Sequence, residues 1–113
     1  GKPKKKALYD RDGRADYTLM SADEVYKASI YRLQKASTLK ESTFIMCSEL
    51  CPSQCHRSKL IGKTLANMGV YLIHIDKHGN VMSQNDVMDI ITNGQDDLFG
   101  ENPSVNRSRG RYV

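Results

Sequence analysis

Apolar residues recur along this chain with two different spacings. Val25, Ala28, Ile30, Leu33 and Ala36 approximate a helical stripe with Lys27, Arg32, Lys35 and Lys40 left for water. Ser21 and Glu24 have the spacing of a capping box, which predicts a helix starting at Ala22. Residues 43–47, Thr-Phe-Ile-Met-Cys, form a short, nearly continuous apolar and β-branched run, as expected of a strand covered on both faces. Leu60, Ile61, Leu65 and Met68 return to helical spacing over residues 55–68, and Gly69 is a good left-handed terminator. Residues 70–75 repeat the buried-strand pattern, and His78-Gly79-Asn80 follows it as a turn. Ser83 is placed to cap a third helix carrying Val87, Ile90 and Ile91 and stopping near Asn93-Gly94.

The order helix, strand, helix, strand, helix predicts an α/β class: a parallel βαβ unit with flanking helices over residues 21–94. Two parallel strands buried on both faces cannot cover themselves. That deficit, together with a start at Gly1, points to a fragment of a larger three-layer α/β domain, or to a second copy of the chain supplying the missing cover as a homodimer. Residues 1–20 read as a basic extended arm with turns, and residues 95–113 as a disordered tail without apolar period.

Composition narrows the function classes. With 113 residues, 39% hydrophobic, 27% charged, six Tyr, two Phe and no Trp, the chain fits one average domain with an aliphatic core. No apolar stretch is long enough for a membrane helix, and no apolar signal core follows the lysines, so no membrane is expected and the location reads as cytoplasmic. The net charge of +4 sits at the ends. Residues 2–14 hold six basic and two acidic side chains, residues 15–100 eight and ten, and the tail three and one. Such ends are commonly solvated and can also touch nucleic acid.

Chemistry concentrates in residues 47–58, Cys-Ser-Glu-Leu-Cys-Pro-Ser-Gln-Cys-His-Arg-Ser, beyond the predicted end of a strand, where α/β sheets gather ligands. A helix starting near Cys55 directs free N–H groups at this loop, and Arg57 and Ser58 add donors suited to phosphate or carboxylate. Arg57 can equally pair with Glu49. Cys55, at a helix start beside His56 and Arg57, is the candidate nucleophile, with His56 and Glu49 available for acid/base work. Cys47, ending an apolar run, reads as core. The spacing C-x3-C-x3-C-H lacks the C-x2-C knuckles of structural zinc, so no metal and no cofactor are expected. Cys51 to Arg57 also meets the C-x5-R-S pattern of cysteine-dependent phosphatases, but has no glycine with which to wrap a phosphate. His74 sits among apolar neighbours as a core histidine or a ligand contact, and Arg14, with Tyr9, Asp16 and Tyr17, can fold over the site as a polar arm.

The motif C-x-E-x2-P-x2-C-H-R-S, carried by Cys47, Glu49, Pro52, Cys55, His56, Arg57 and Ser58, resembles the bacterial family called domain of unknown function 488 in its C-terminal half. The upstream segments at residues 1–4 and 8–17 and the Ile73-His74-Ile75 strand support the resemblance, which spans residues 1–92. It implies an α/β fold and a polar pocket, with an acidic residue often standing where this chain has Cys51, and it brings no established activity. The expected function is binding of an anionic small molecule or nucleotide at the Cys/His/Arg loop, with a thiol-dependent enzyme as one alternative. A second alternative comes from the tail: Gln95, Leu98 and Phe99 match the peptide with which bacterial proteins dock on the replication sliding clamp, an interaction module of DNA metabolism.

Overall fold

The computed structural model describes residues 2–92 and 105–112. Its elements are β1 (Arg14–Asp16), α1 (Tyr17–Ala22), α2 (Glu24–Ala36), a π-helical stretch (Arg57–Gly62) running directly into α3 (Lys63–Asn67), β2 (Ile73–Ile75), β3 (Val81–Ser83), α4 (Gln84–Thr92) and β4 (Arg107–Arg111). The class is mixed α/β, as the sequence predicts. The pairing is different: among the described residues both sheets are two-stranded and antiparallel, β1 with β4 and β2 with β3.

The parallel unit does not form because residues 43–47 adopt no strand. Phe44 is 75% and Met46 90% exposed, so the run has no surface to bury against. The 70–75 run contributes only Ile73–Ile75, which pairs with Val81–Ser83 in the register Ile73 to Ser83 and Ile75 to Val81. A hairpin closed over a few residues costs less chain entropy than a parallel crossover. Its turn is built by Asp76, whose carboxylate accepts the N–H groups of His78 and Asn80, and by Gly79 at φ +81°. Between residues 43–46 and 70–75 lies a cavity of about 710 Å³, where the sequence placed strand pairing.

Helix limits follow local capping. Asp16 caps α1 by accepting from Leu19 N at 3.0 Å, and Asp23, not Ser21, caps α2 by accepting from Val25 N at 3.2 Å. The Ser21 hydroxyl instead donates to Thr18 O within α1. Ser83 caps α4 as expected: Asp86 N donates to Ser83 Oγ at 3.0 Å and Ser83 N to the Asp86 carboxylate at 3.3 Å. Gly69, at φ +78°, ends the site helix.

The described parts of both terminal segments, residues 2–20 and 105–112, are tied together where composition predicts a loose arm and a loose tail. Ala15 and Tyr17 form a core with Leu60, against which Tyr9, Met20 and Tyr26 pack. Residues 105–112 close over this core. Tyr17 N donates to Asn106 O and Tyr112 N to Gly13 O, both at 2.7 Å, and Ala15 N donates to the buried Ser108 hydroxyl at 2.9 Å. The basic tail meets the acidic turn of the arm, with Arg107 3.2 Å from Asp12 and 3.8 Å from Asp10. Backbone pairing and ion pairs hold this strand, which is why it has no apolar period. Among the described residues no helix is long and apolar enough to cross a membrane. Gln95, Leu98 and Phe99 lie outside the described residues.

Candidate functional site

The loop of residues 47–58 is folded back by its own polar atoms. Pro52–Gln54 makes a 3-10 turn with Pro52 in its first position, and Ser58, fully buried, closes the loop by donating its hydroxyl to Pro52 O and Cys55 O. The sequence offers Ser58 as an anion donor; its hydroxyl is instead committed to two carbonyls. This closure carries Cys55 beneath Cys47. Cys47 Sγ and Cys55 Sγ each lie 3.7 Å from His56 Nδ1, and the three atoms all fall within 4.8 Å of one another. Among the described residues this is the group of Cys, His and carboxylate side chains that converges to metal-ligand distances. Cys51 is exposed and turns away to the Ser53 hydroxyl at 3.2 Å.

Arg57 and Glu49 do not pair through their charges. The Arg57 guanidinium donates to Glu49 O, a main-chain carbonyl, at 2.7 Å, and its Nε to Cys55 Sγ at 3.3 Å. The Glu49 carboxylate is held by Arg109 of β4 at 2.9 Å and accepts Cys51 N at 3.3 Å. Arg109, which the sequence left in the tail, also donates to Gln54 at 2.7 Å. Arg14 reaches the same region but is committed to carbonyls of β4, donating to Ser108 O at 3.1 Å and to Arg109 O.

His74 is a satisfied core histidine. Its Nε2 meets the Gln84 side-chain oxygen, and Gln84 Nε2 donates to Ser58 O at 3.0 Å, so β2, α4 and the site loop share one buried polar link. Gly62, at the end of the π-helical stretch, packs against this link. A Cβ at Gly62 would collide with Gln84 Oε1 and stand 2.8 Å from Arg57 O, so the close approach requires glycine.

Lys59, like Arg109, escaped the sequence reading, and Tyr17 enters it only as part of a polar arm. Lys59 is only 8% exposed, and among the described residues no carboxylate bonds to its ammonium. Burial pushes that ammonium below its usual pKa, Arg109 and Arg14 push the same way, and the Cys55 sulfur opposes them. Tyr17 is buried beside the cysteines; desolvation pushes its phenol well above the usual value, with Tyr112, Cys55 and Cys47 adding to it. Desolvation also lowers the pKa of His56, assisted by Arg57, so burial favours the neutral imidazole. No local pattern marks Lys59, because it stands inside a helical stretch whose lysines are ordinarily solvated. Tyr17 belongs to the arm that was expected to fold over the site.

Exposure orders the thiols. Cys55, at 2% exposed, is shut from bulk reagents, Cys47 is half-buried and Cys51 open. Iodoacetamide on the native protein is therefore expected to modify Cys51 first and Cys55 last, read by peptide mass spectrometry; modification of Cys55 at the rate of Cys51 would contradict this burial. Comparison of the chain with protein-family models, with curated proteins and with solved structures returned no match.

Proposed function

We propose that the chain binds a small anionic molecule, of the phosphate or nucleotide class, on the cationic side of the Cys47–Ser58 loop. The observation that carries this reading is Lys59: a side chain only 8% exposed, with no carboxylate partner among the described residues and with its ammonium in the field of Arg14 and Arg109, is a charge arrangement that an anion would relieve. Arg57 and Arg109 stand at the mouth of the same loop, and their hydrogen bonds to Glu49 set the loop's edge. The resemblance of the Cys47–Ser58 motif to domain of unknown function 488 supports the choice of this loop. Direct thiol chemistry fits less well, because a sulfur as enclosed as that of Cys55 meets only small electrophiles. The three free cysteines suit a reducing compartment, in line with a cytoplasmic setting.

The test is calorimetric titration with inorganic phosphate, pyrophosphate and ATP, comparing the wild type with Lys59→Met. The substitution keeps the buried stem and removes the charge. Binding of one of these probes with at least about tenfold loss in Lys59→Met is expected, since a charged hydrogen bond contributes roughly 1.5–3 kcal/mol. Absence of binding, or equal affinity in both proteins, overturns the reading.

A further inference from the structure

We propose that Cys47, Cys55 and His56 form a binding site for a borderline-soft divalent cation of the zinc type, with its fourth position open. This goes beyond the anion reading and does not depend on it. Two thiolates and one imidazole are the donors that favour zinc over harder cations. With metal–sulfur bonds of about 2.3 Å and metal–nitrogen bonds of about 2.0–2.1 Å, a tetrahedral ion separates sulfur from nitrogen by about 3.6 Å and sulfur from sulfur by about 3.8 Å. Here His56 Nδ1 stands 3.7 Å from both sulfurs, with all three atoms inside 4.8 Å, so an ion can enter with little movement of the loop.

The surroundings of the two sulfurs are a second, independent observation. Each accepts the backbone N–H two residues further on: Glu49 N donates to Cys47 Sγ at 3.5 Å and Arg57 N to Cys55 Sγ at 3.4 Å. Arg57 Nε adds a third donor at 3.3 Å. Such N–H donors neutralise part of the negative charge that two thiolates bring to a divalent ion, and they fix the direction of the sulfur lone pairs. The pattern is hidden in the sequence because the two cysteines meet only through the fold-back at Pro52–Gln54, and because Cys51, which completes the apparent three-cysteine motif, points elsewhere.

Binding replaces two S–H protons: the ion takes both sulfurs as thiolates and His56 through Nδ1, and two protons leave to solvent. The fourth position is left to water or to an exogenous ligand, as in zinc sites with three protein donors.

The test uses cobalt(II) and zinc(II) as probes on the reduced, chelator-stripped 113-residue chain in phosphate-free buffer. The expected result is one equivalent of cobalt, giving thiolate-to-cobalt charge-transfer bands and intense tetrahedral ligand-field bands that zinc abolishes. Cys51→Ala should keep this spectrum. Cys47→Ala and His56→Asn should each weaken binding by more than about 100-fold, beyond the 10- to 100-fold that loss of an outer partner typically costs. Absent charge-transfer bands, an octahedral spectrum, or full affinity in both variants overturns the site. The wild-type spectrum decides the matter even where a variant fails to fold. Lys59→Met separates the two proposals: cobalt bands retained with phosphate binding lost upholds both, whereas phosphate binding without cobalt bands removes the metal site alone.

Discussion

Deletion of residues 105–113 is expected to remove a large part of the stability of the fold, lowering the free energy of unfolding by about 3–5 kcal/mol. This strand supplies the hydrogen-bond partners of Ala15 N, Tyr17 N and the Arg14 guanidinium, and Tyr112 N closes on Gly13 O. Four such bonds contribute roughly 1 kcal/mol each, and burial of Val105 adds about 1.5 kcal/mol, offset by the entropy regained when the segment is freed. Against the roughly 5–15 kcal/mol of a typical domain, that loss leaves a marginal protein. Ser108→Ala isolates one part: it strips the buried Ala15 N–H of its acceptor and should cost about 1–3 kcal/mol. Urea denaturation followed by circular dichroism measures both. An unchanged midpoint in the deletion would show that β4 does not close the core.

Gly62→Ala is the second large effect. Gln84 and the Arg57 carbonyl occupy the space that a methyl group needs, and neither can move freely. Gln84 is fixed by His74 and Ser58, and Arg57 O belongs to the helical stretch itself. Overpacking of a tight site costs typically 1–3 kcal/mol, and displacement of Gln84 leaves buried polar groups unpaired at a similar cost. A total of about 3 kcal/mol is expected. Pairing Gly62→Ala with Gln84→Ala should recover part of the loss by opening the space, and a strictly additive pair, by denaturation midpoints, would contradict the proposed clash.

What the sequence makes legible is what neighbouring residues decide among themselves. The Ser83 cap, the Gly69 stop and the helical stretch behind the cysteines depend on local hydrogen bonds and backbone freedom. The α/β class follows from them. Residues 43–47 have the composition of a buried strand, yet a strand needs a partner and two covering faces, and composition cannot supply either. The run at 70–75 had a nearer choice in residues 81–83, and the shorter loop prevailed. The tail misled for the opposite reason: Arg107, Ser108 and Arg109 look solvated, and their pairing depends on Asp10, Asp12, Ala15 and Glu49 far away in sequence.

The site shows the same division. The loop holding Cys47, Glu49, Cys55, His56 and Arg57 is visible as a motif, and the structure brings these residues together. Their partners were misassigned where two bonds were chemically equivalent on paper: Arg57 takes the carbonyl of Glu49, and Arg109 takes its carboxylate. Lys59 and Tyr17 gain their character chiefly from burial, with charged neighbours distant in sequence adding to it, which no spacing encodes.

Binding of an anion on the cationic side of the cysteine loop, by Lys59 with Arg57 and Arg109, is tested most directly by mapping backbone amide chemical shifts during an ATP titration. The account predicts saturable shifts centred on Cys55 to Lys59 and on Arg109, absent in Lys59→Met. Shifts confined to the lysines at residues 2–6, or no saturable shifts, would contradict it.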